Sequence, residues 1–215
     1  MDMQWIKSVL KTMSAVNNFD YDDKAFKKAD TILKQHDLIA PSAQRTRIPT
    51  WQEMLKLTRF FKRKDKKSKI PMVDIMWFAY QSTRRAAEIT RIEWKDNNNK
   101  AKTGMVRDAK DPQNKKGNHK RFKYEKQAWK IVNRQNITSD FIFPFNETTI
   151  GNKFDKACNL LGIDDLHFHD LRHAGTIRLF RLGYTIEQVQ KFTLHEDWQN
   201  LKRYTNLTPE DIKDI

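Results

Sequence analysis

His169-Asp170-Leu171-Arg172-His173 is the stretch on which the reading of this chain turns. His169 and Arg172 stand three residues apart, one helical turn, so their side chains share a helix face. Outward toward the C-terminus come His195 and, nine residues later, Tyr204. Outward toward the N-terminus, Arg85 and Glu88 repeat the three-residue spacing. Between the two groups runs a lysine-rich stretch from Lys110 to Lys123.

Two arginines, two histidines, a lysine and a tyrosine suit one chemistry. They can grip a phosphodiester by its non-bridging oxygens and attack its phosphorus with a phenolate. The anionic oxygens of a phosphodiester repel a nucleophile, and positive groups aimed at them stabilise the charge that builds up during attack. Arginine fits because its planar fork donates paired hydrogen bonds and keeps its charge. A lone arginine is by default a surface ion pair, and a lone histidine a structural hydrogen bonder. Order and spacing are what lift these residues above that level.

Composition points the same way. The chain has 215 residues, room for one large or two small domains. Lys and Arg number 41 against 27 Asp and Glu, a net charge of +14, with a pI near 9.8. Such a balance favours a polyanion, and nucleic acid is the usual one. A basic surface kept for solubility is the plainer alternative. Cys158 is the only cysteine, so the chain holds no internal disulfide and no C-x-x-C pair for zinc; a reducing, cytoplasmic setting fits. No run of about 18 apolar residues is present, so no membrane helix is expected. Met1-Asp2-Met3-Gln4-Trp5 lacks the pattern of a signal peptide.

Periodicity predicts a mainly α chain with one small antiparallel β-sheet. Trp5, Ile6, Val9, Leu10, Met13 and Val16 mark an amphipathic helix over 4–17, and Phe26, Ala29, Ile32 and Leu33 a second over 23–36. Pro41, Ser42 and Pro49 make 37–49 a connector, so a helical segment 1–49 precedes a domain 50–215. Thr50-Trp51-Gln52-Glu53 is a capping box that starts a helix running to about Lys62. The basic run from Phe61 to Lys69 then reads as a solvated loop, or more sharply as a phosphate contact through Lys64, Lys66 and Lys67. Pro71 opens the next helix, which buries Ile75, Met76, Phe78 and Ala79. Met105-Val106-Arg107 and Arg121-Phe122-Lys123-Tyr124 read as strands flanking a basic hairpin with Lys115 and Lys116. Helices follow at about 125–135, 148–161, 169–182 and 185–193, the last behind a second capping box, Thr185-Ile186-Glu187-Gln188. Thr208-Pro209-Glu210-Asp211 opens a short terminal helix.

In order and spacing the chain resembles the tyrosine recombinases, also called phage integrases. Thr83-Arg84-Arg85-Ala86-Ala87-Glu88-Ile89 is similar to the family's first arginine box. His169-Asp170-Leu171-Arg172-His173 is similar to its H-x-x-R box, and Leu194-His195 through Arg203-Tyr204-Thr205 has its usual distance from histidine to nucleophile. The resemblance covers roughly 45–215. Each box alone is weak; three in order around a basic hairpin are strong. Two positions depart from the pattern, since many members carry glycine where Thr83 and Leu194 stand. Residues before 50 resemble only the last helices of the core-binding domain, the other half of the family's clamp on DNA, which leaves a fragment and an unusually short member both open.

The resemblance implies the roles. Tyr204 is the nucleophile, and Arg85 and Arg172 hold the phosphate. His169 assists the phenol's proton transfer, His195 donates to the phosphate, and Glu88 holds a basic side chain in place. Lys110 protonates the leaving 5′ oxygen, with Lys115 and Lys116 as rivals because the hairpin register is open. Lys64, Lys66, Lys67, Lys115, Lys116 and Arg121 are the candidate contacts to DNA. The expected function is site-specific DNA breaking and rejoining through a 3′-phosphotyrosine, with no metal and no cofactor. The partners are double-stranded DNA and further copies of the chain, four in the family, in the cytoplasm and with no membrane contact. A type IB topoisomerase, which shares the nucleophile and arginines, a non-catalytic DNA-binding relic, and an RNA-binding or structural basic protein are the alternatives. The hairpin and the ordered boxes favour the recombinase.

Overall fold

The computed structural model describes residues 3–17, 20–36, 38, 46–65, 68–109, 117–195, 201 and 204. They fall into two units, Met1–Arg45 and Thr46–Ile215. Among the described residues the secondary structure is helical but for one two-stranded antiparallel sheet, as the periodicity predicts.

The first unit holds α1 (Met3–Asn17) and α2 (Asp23–Gln35). Asp22 caps α2 by accepting the Lys24 amide at 2.8 Å. Lys7 bridges to Asp23 at 2.7 Å and lies over the Phe26 ring. The apolar faces read from the sequence do not become a core within this unit. Trp5 is 67% exposed and Val16 74%, and no described residue of α2 is buried. Two helices alone cannot enclose a stripe of that width.

The second unit begins with α3 (Trp51–Asp65). Its capping box forms as expected: the Glu53 amide donates to Thr50 Oγ1 at 3.2 Å, and the Thr50 amide to Glu53 Oε2 at 2.7 Å. The helix runs past Lys62, taking in part of the stretch expected as loop. Phe61 extends the buried stripe of Met54 and Leu57 by one more turn, and its burial carries the helix on. Pro71 is the N-cap of α4 (Met72–Ser82), which buries Ile75, Met76, Phe78 and Ala79. Thr83 ends α4 with φ 59°, in the left-handed region. A four-residue helix, α5 (Ala86–Ile89), follows at once with Arg85 at its N-cap.

Beyond a single 3-10 turn at Trp94–Asp96, β1 (Thr103–Val106) pairs with β2 (Lys120–Lys123), Val106 opposite Lys120. Arg107 clamps the hairpin's root, with Nε and Nη2 each 2.8 Å from the Asp96 carboxylate and Nε 3.1 Å from Glu93. The core then draws on α6 (Lys126–Asn133) and α7 (Glu147–Leu160). Helix α8 (Asp170–Arg181) packs on α4 so closely that a Cβ at Gly175 would overlap the Tyr80 carbonyl oxygen. Helix α9 (Ile186–Thr193) carries the second capping box and ends at Leu194, left-handed like Thr83 with φ 58°. The terminal helix expected near Thr208 lies outside the described residues. No helix among the described residues is long and apolar enough to cross a membrane.

Candidate active site

Two left-handed helix ends build the site around Arg172. A residue in the left-handed conformation reverses the chain at a helix C-terminus and turns carbonyls out of the helix. At the end of α4 the Thr83 carbonyl accepts from Arg172 Nη1 at 2.6 Å. At the end of α9 the carbonyl of Thr193, just before Leu194, accepts from Nη2 at 2.9 Å. Nη2 also lies 3.2 Å from His195 Nε2. Arg172 is 2% exposed, and burial pushes its guanidinium down to about 9, with Glu88 working against that. It stays protonated at neutral pH. Among the described residues these bonds use three of its five N–H groups.

Glu88 is the shared counter-ion. Its carboxylate lies 2.6 Å from Arg85 Nη1, 3.3 Å from Arg84 Nη1 and 3.7 Å from Arg172 Nη1. It also accepts the Arg85 amide at 3.2 Å, tying off the start of α5. Burial works to raise its pKa, but Arg84, Arg172 and Arg85 outweigh burial and hold it at about 2. Three guanidiniums around one carboxylate leave an excess of positive charge, which suits a phosphodiester. Arg85 is the reachable member, its side chain 36% exposed.

Arg84 is the member the sequence underrates. It is fully buried, with its guanidinium 4.7 Å from the centre of the Phe122 ring, Nε donating to the Ser82 carbonyl at 3.2 Å and Nη2 donating to the Phe192 carbonyl. It joins β2, α4 and the end of α9, and so fixes the frame in which Arg85 points outward. Adjacent arginines look alike in sequence; only the Arg-x-x-Glu spacing separates them.

His195 is turned toward Arg172. Arginine can only donate, so Nε2 accepts and the ring proton sits on Nδ1, 2.8 Å from Thr193 Oγ1. Burial, then Arg172 and Arg85, push the imidazole down to about 3, so it is neutral at pH 7. Donation from Nε2 to a phosphate requires the other tautomer and release from Arg172.

Tyr204 is buried among Leu179, Phe180, Val189, Phe192 and Leu201. Its hydroxyl is hydrogen-bonded to His173 Nδ1, and the rings stand 5.8 Å apart. His169, at the N-cap of α8, packs edge-on against His173 at 4.9 Å. Partial desolvation, then Arg172 and Arg85, lower the basicity of His169. His173 carried no role in the sequence reading. The signal was present in its spacing, since residues four apart on α8 meet on one face.

The remaining candidates lie elsewhere. Lys64 is exposed in the last turn of α3. Arg121 is exposed on β2 and donates to Thr103 Oγ1 at 3.3 Å. Lys66, Lys67, Lys110, Lys115 and Lys116 lie outside the described residues. The described root of the lysine hairpin closes through Ala109 N–H to the Asn118 carbonyl, 2.8 Å, and Gly117 N–H to Asp108 Oδ1, 2.8 Å. No group of three or more His, Cys, Asp or Glu side chains among the described residues is placed to hold a metal ion.

A shufflon-specific DNA recombinase of Escherichia coli is 26% identical over 168 residues, which is 77% of this chain and 41% of that protein. The chain thus spans less than half the length of that relative. The Tn1549 transposon integrase, solved in complex with a circular intermediate DNA, superposes with TM-score 0.65 at 12% identity, over 98% of this chain and 83% of that one. A lambda integrase dimer bound to a COC′ core site gives 0.61 at 15% identity, over 100% and 67%. At these identities the structural likeness is one of fold. The phage integrase family model matches residues 50–211, nearly the whole of the second unit, and the chain belongs to that family.

Proposed function

We propose that this chain carries the catalytic part of a site-specific DNA recombinase, with Tyr204 as its nucleophile. The phenolic oxygen attacks a DNA phosphorus, forms a 3′-phosphotyrosine and releases a 5′ hydroxyl. A 5′ hydroxyl from a partner duplex then reverses the step on a new strand. The phosphoester energy stays in the covalent link, so the exchange runs without ATP. Arg85 and Arg172 grip the non-bridging oxygens, and Glu88 keeps the arginines in register. His195 adds a hydrogen bond once released from Arg172, and His169 assists at the phenol. Lys110 is the proposed donor to the leaving oxygen, with Lys115 and Lys116 as alternatives on the same hairpin. Lys64, Lys66, Lys67 and Arg121 are proposed to contact backbone phosphates. Four copies on two duplexes, exchanging contacts through residues 205–215 in a cytoplasmic setting, complete the proposal.

The observation that carries this reading is the bracing of Arg172 between the Thr83 and Thr193 carbonyls, with Arg85, Glu88 and His195 around it. Such a cluster binds an anion at a fixed place, and fixed charges cost little reorganisation when the extra negative charge develops. The test is incubation with a nicked suicide DNA duplex in excess EDTA, followed by a denaturing gel. The wild-type chain should leave a denaturation-resistant adduct that maps to Tyr204. Tyr204→Phe should bind DNA and leave none. An adduct mapped to another tyrosine, or one that needs added Mg²⁺, would overturn the reading.

A further inference from the structure

We infer that His173 is the proton acceptor for Tyr204, the group that makes the phenol a nucleophile. The inference rests on the function proposed above and reassigns one role within it. The phenol sits in a largely apolar cluster formed by α8, α9 and Leu201, and Tyr204 is only 9% exposed. A phenol holds its proton near neutral pH and must lose it as it attacks. Attack therefore needs a base already in contact with the hydroxyl. His173 Nδ1 is in that contact, and the ring is half-buried on the first turn of α8. His169 lies one turn back, at the helix start, and meets the face or edge of the His173 ring in a T-shaped pair. It thereby orients His173 from behind.

The position of His173 follows from the helix that carries Arg172. Adjacent residues on a helix diverge by about 100°. Arg172 thus points into the carbonyl cradle, while His173 points to the neighbouring face where Leu201 and Tyr204 dock. One helix sets both the phosphate's binding group and the nucleophile's base, so their separation is fixed by backbone geometry.

The step balances as follows. The Tyr204 O–H bond breaks and its proton passes to His173 Nδ1, giving an imidazolium. The phenolic oxygen bonds to phosphorus. The P–O5′ bond breaks with its electron pair on O5′, which takes a proton from the hairpin lysine. In the rejoining step the imidazolium returns its proton to the departing phenolate.

The experiment compares wild type, His173→Ala, His173→Asn and Tyr204→Phe on the suicide duplex at saturating DNA. His173→Ala should lose roughly 10²- to 10⁴-fold in cleavage rate, the usual contribution of a general base, with DNA affinity unchanged. Added imidazole should restore His173→Ala in part. His173→Asn keeps a polar group near the Nδ1 position but cannot take the proton; it should stay slow and resist rescue. Nitrogen NMR of the wild-type chain should show the His173 Nδ1 signal moving in Tyr204→Phe, a variant that leaves His173 intact. A His173→Ala enzyme that cleaves at the wild-type rate, or an Nδ1 signal indifferent to Tyr204→Phe, would overturn the assignment while the recombinase reading stands. A wild-type chain that forms no adduct would remove the recombinase reading itself, and this inference with it.

Discussion

Glu88 ties three arginines of the site to one carboxylate. The residue is 8% exposed, and its carboxylate faces Arg84, Arg85 and Arg172 together. Removing one partner of a buried ionic cluster leaves charge without compensation, which costs about 3–5 kcal/mol. Glu88→Gln should lower the free energy of unfolding by that order in a denaturant titration. Arg85→Lys should change it by less than about 1 kcal/mol, because that side chain is 36% exposed and its pair is screened. Equal losses in the two variants would show that the cluster is not the stabilising unit described. At this scale the sequence was legible wherever spacing carried information. Arg172 lies 3.2 Å from His195 and shares the Glu88 carboxylate with Arg85. Arg84 and His173 were not legible, because their roles depend on tertiary neighbours, Phe122 and Phe192 for one and Tyr204 for the other.

Helix ends are the elements that matter most. Thr83 and Leu194 take left-handed conformations that cost an L-residue roughly 1–2 kcal/mol each, and the reward is two carbonyls on Arg172. Glycine at either place would reach the same turn without that strain. Leu194→Gly should therefore leave stability within about 1 kcal/mol of wild type, since relief of strain offsets the lost packing of a half-buried side chain. A fall of 3 kcal/mol or more, the size seen for truncation in a core, would mean that the Leu194 side chain rather than its backbone holds the end of α9. Both capping boxes and the order of the helices were readable from residues alone, because caps and apolar stripes are local. The left-handed turns were not. Threonine and leucine have no local preference for that conformation, and only the packing of α4 and α9 around Arg172 imposes it.

The whole molecule should be sensitive to acid, with a sign set by His195, His169 and Glu88. His195 has its pKa pushed from an ordinary 6.5 down to about 3. Between those values the unfolded chain takes up a proton that the folded chain refuses, so stability falls as pH drops through that window. Glu88 is held at about 2, below its ordinary 4.5. Its contribution is complete above pH 4.5 and is lost as pH falls toward 2. Melting temperature should thus begin to drop near pH 6.5 and drop faster below 4.5. His195→Asn should shrink the first limb to the part that His169, also lowered from 6.5, contributes, and leave the second. A wild-type curve that is level from pH 7 to 5 would contradict the environment described for His195.

Gly175 sets a dimension. Helices α4 and α8 touch where residue 175 has no side chain, and any added carbon would meet the Tyr80 carbonyl. Helix α4 leads directly into Arg84 and Arg85, and α8 bears Arg172 and His173. The spacing between these carriers works like a machinist's stop, set where the bare backbone of Gly175 meets the Tyr80 carbonyl. Substitutions on the outer faces of either helix can therefore accumulate without changing the gauge. Gly175→Ala keeps every reacting group yet should shift α8 outward, leaving DNA binding intact and cutting adduct yield by about 10²-fold, the sensitivity expected of a displacement near 1 Å. The smallest side chain in the protein would then act on the rate as strongly as many of the charged ones.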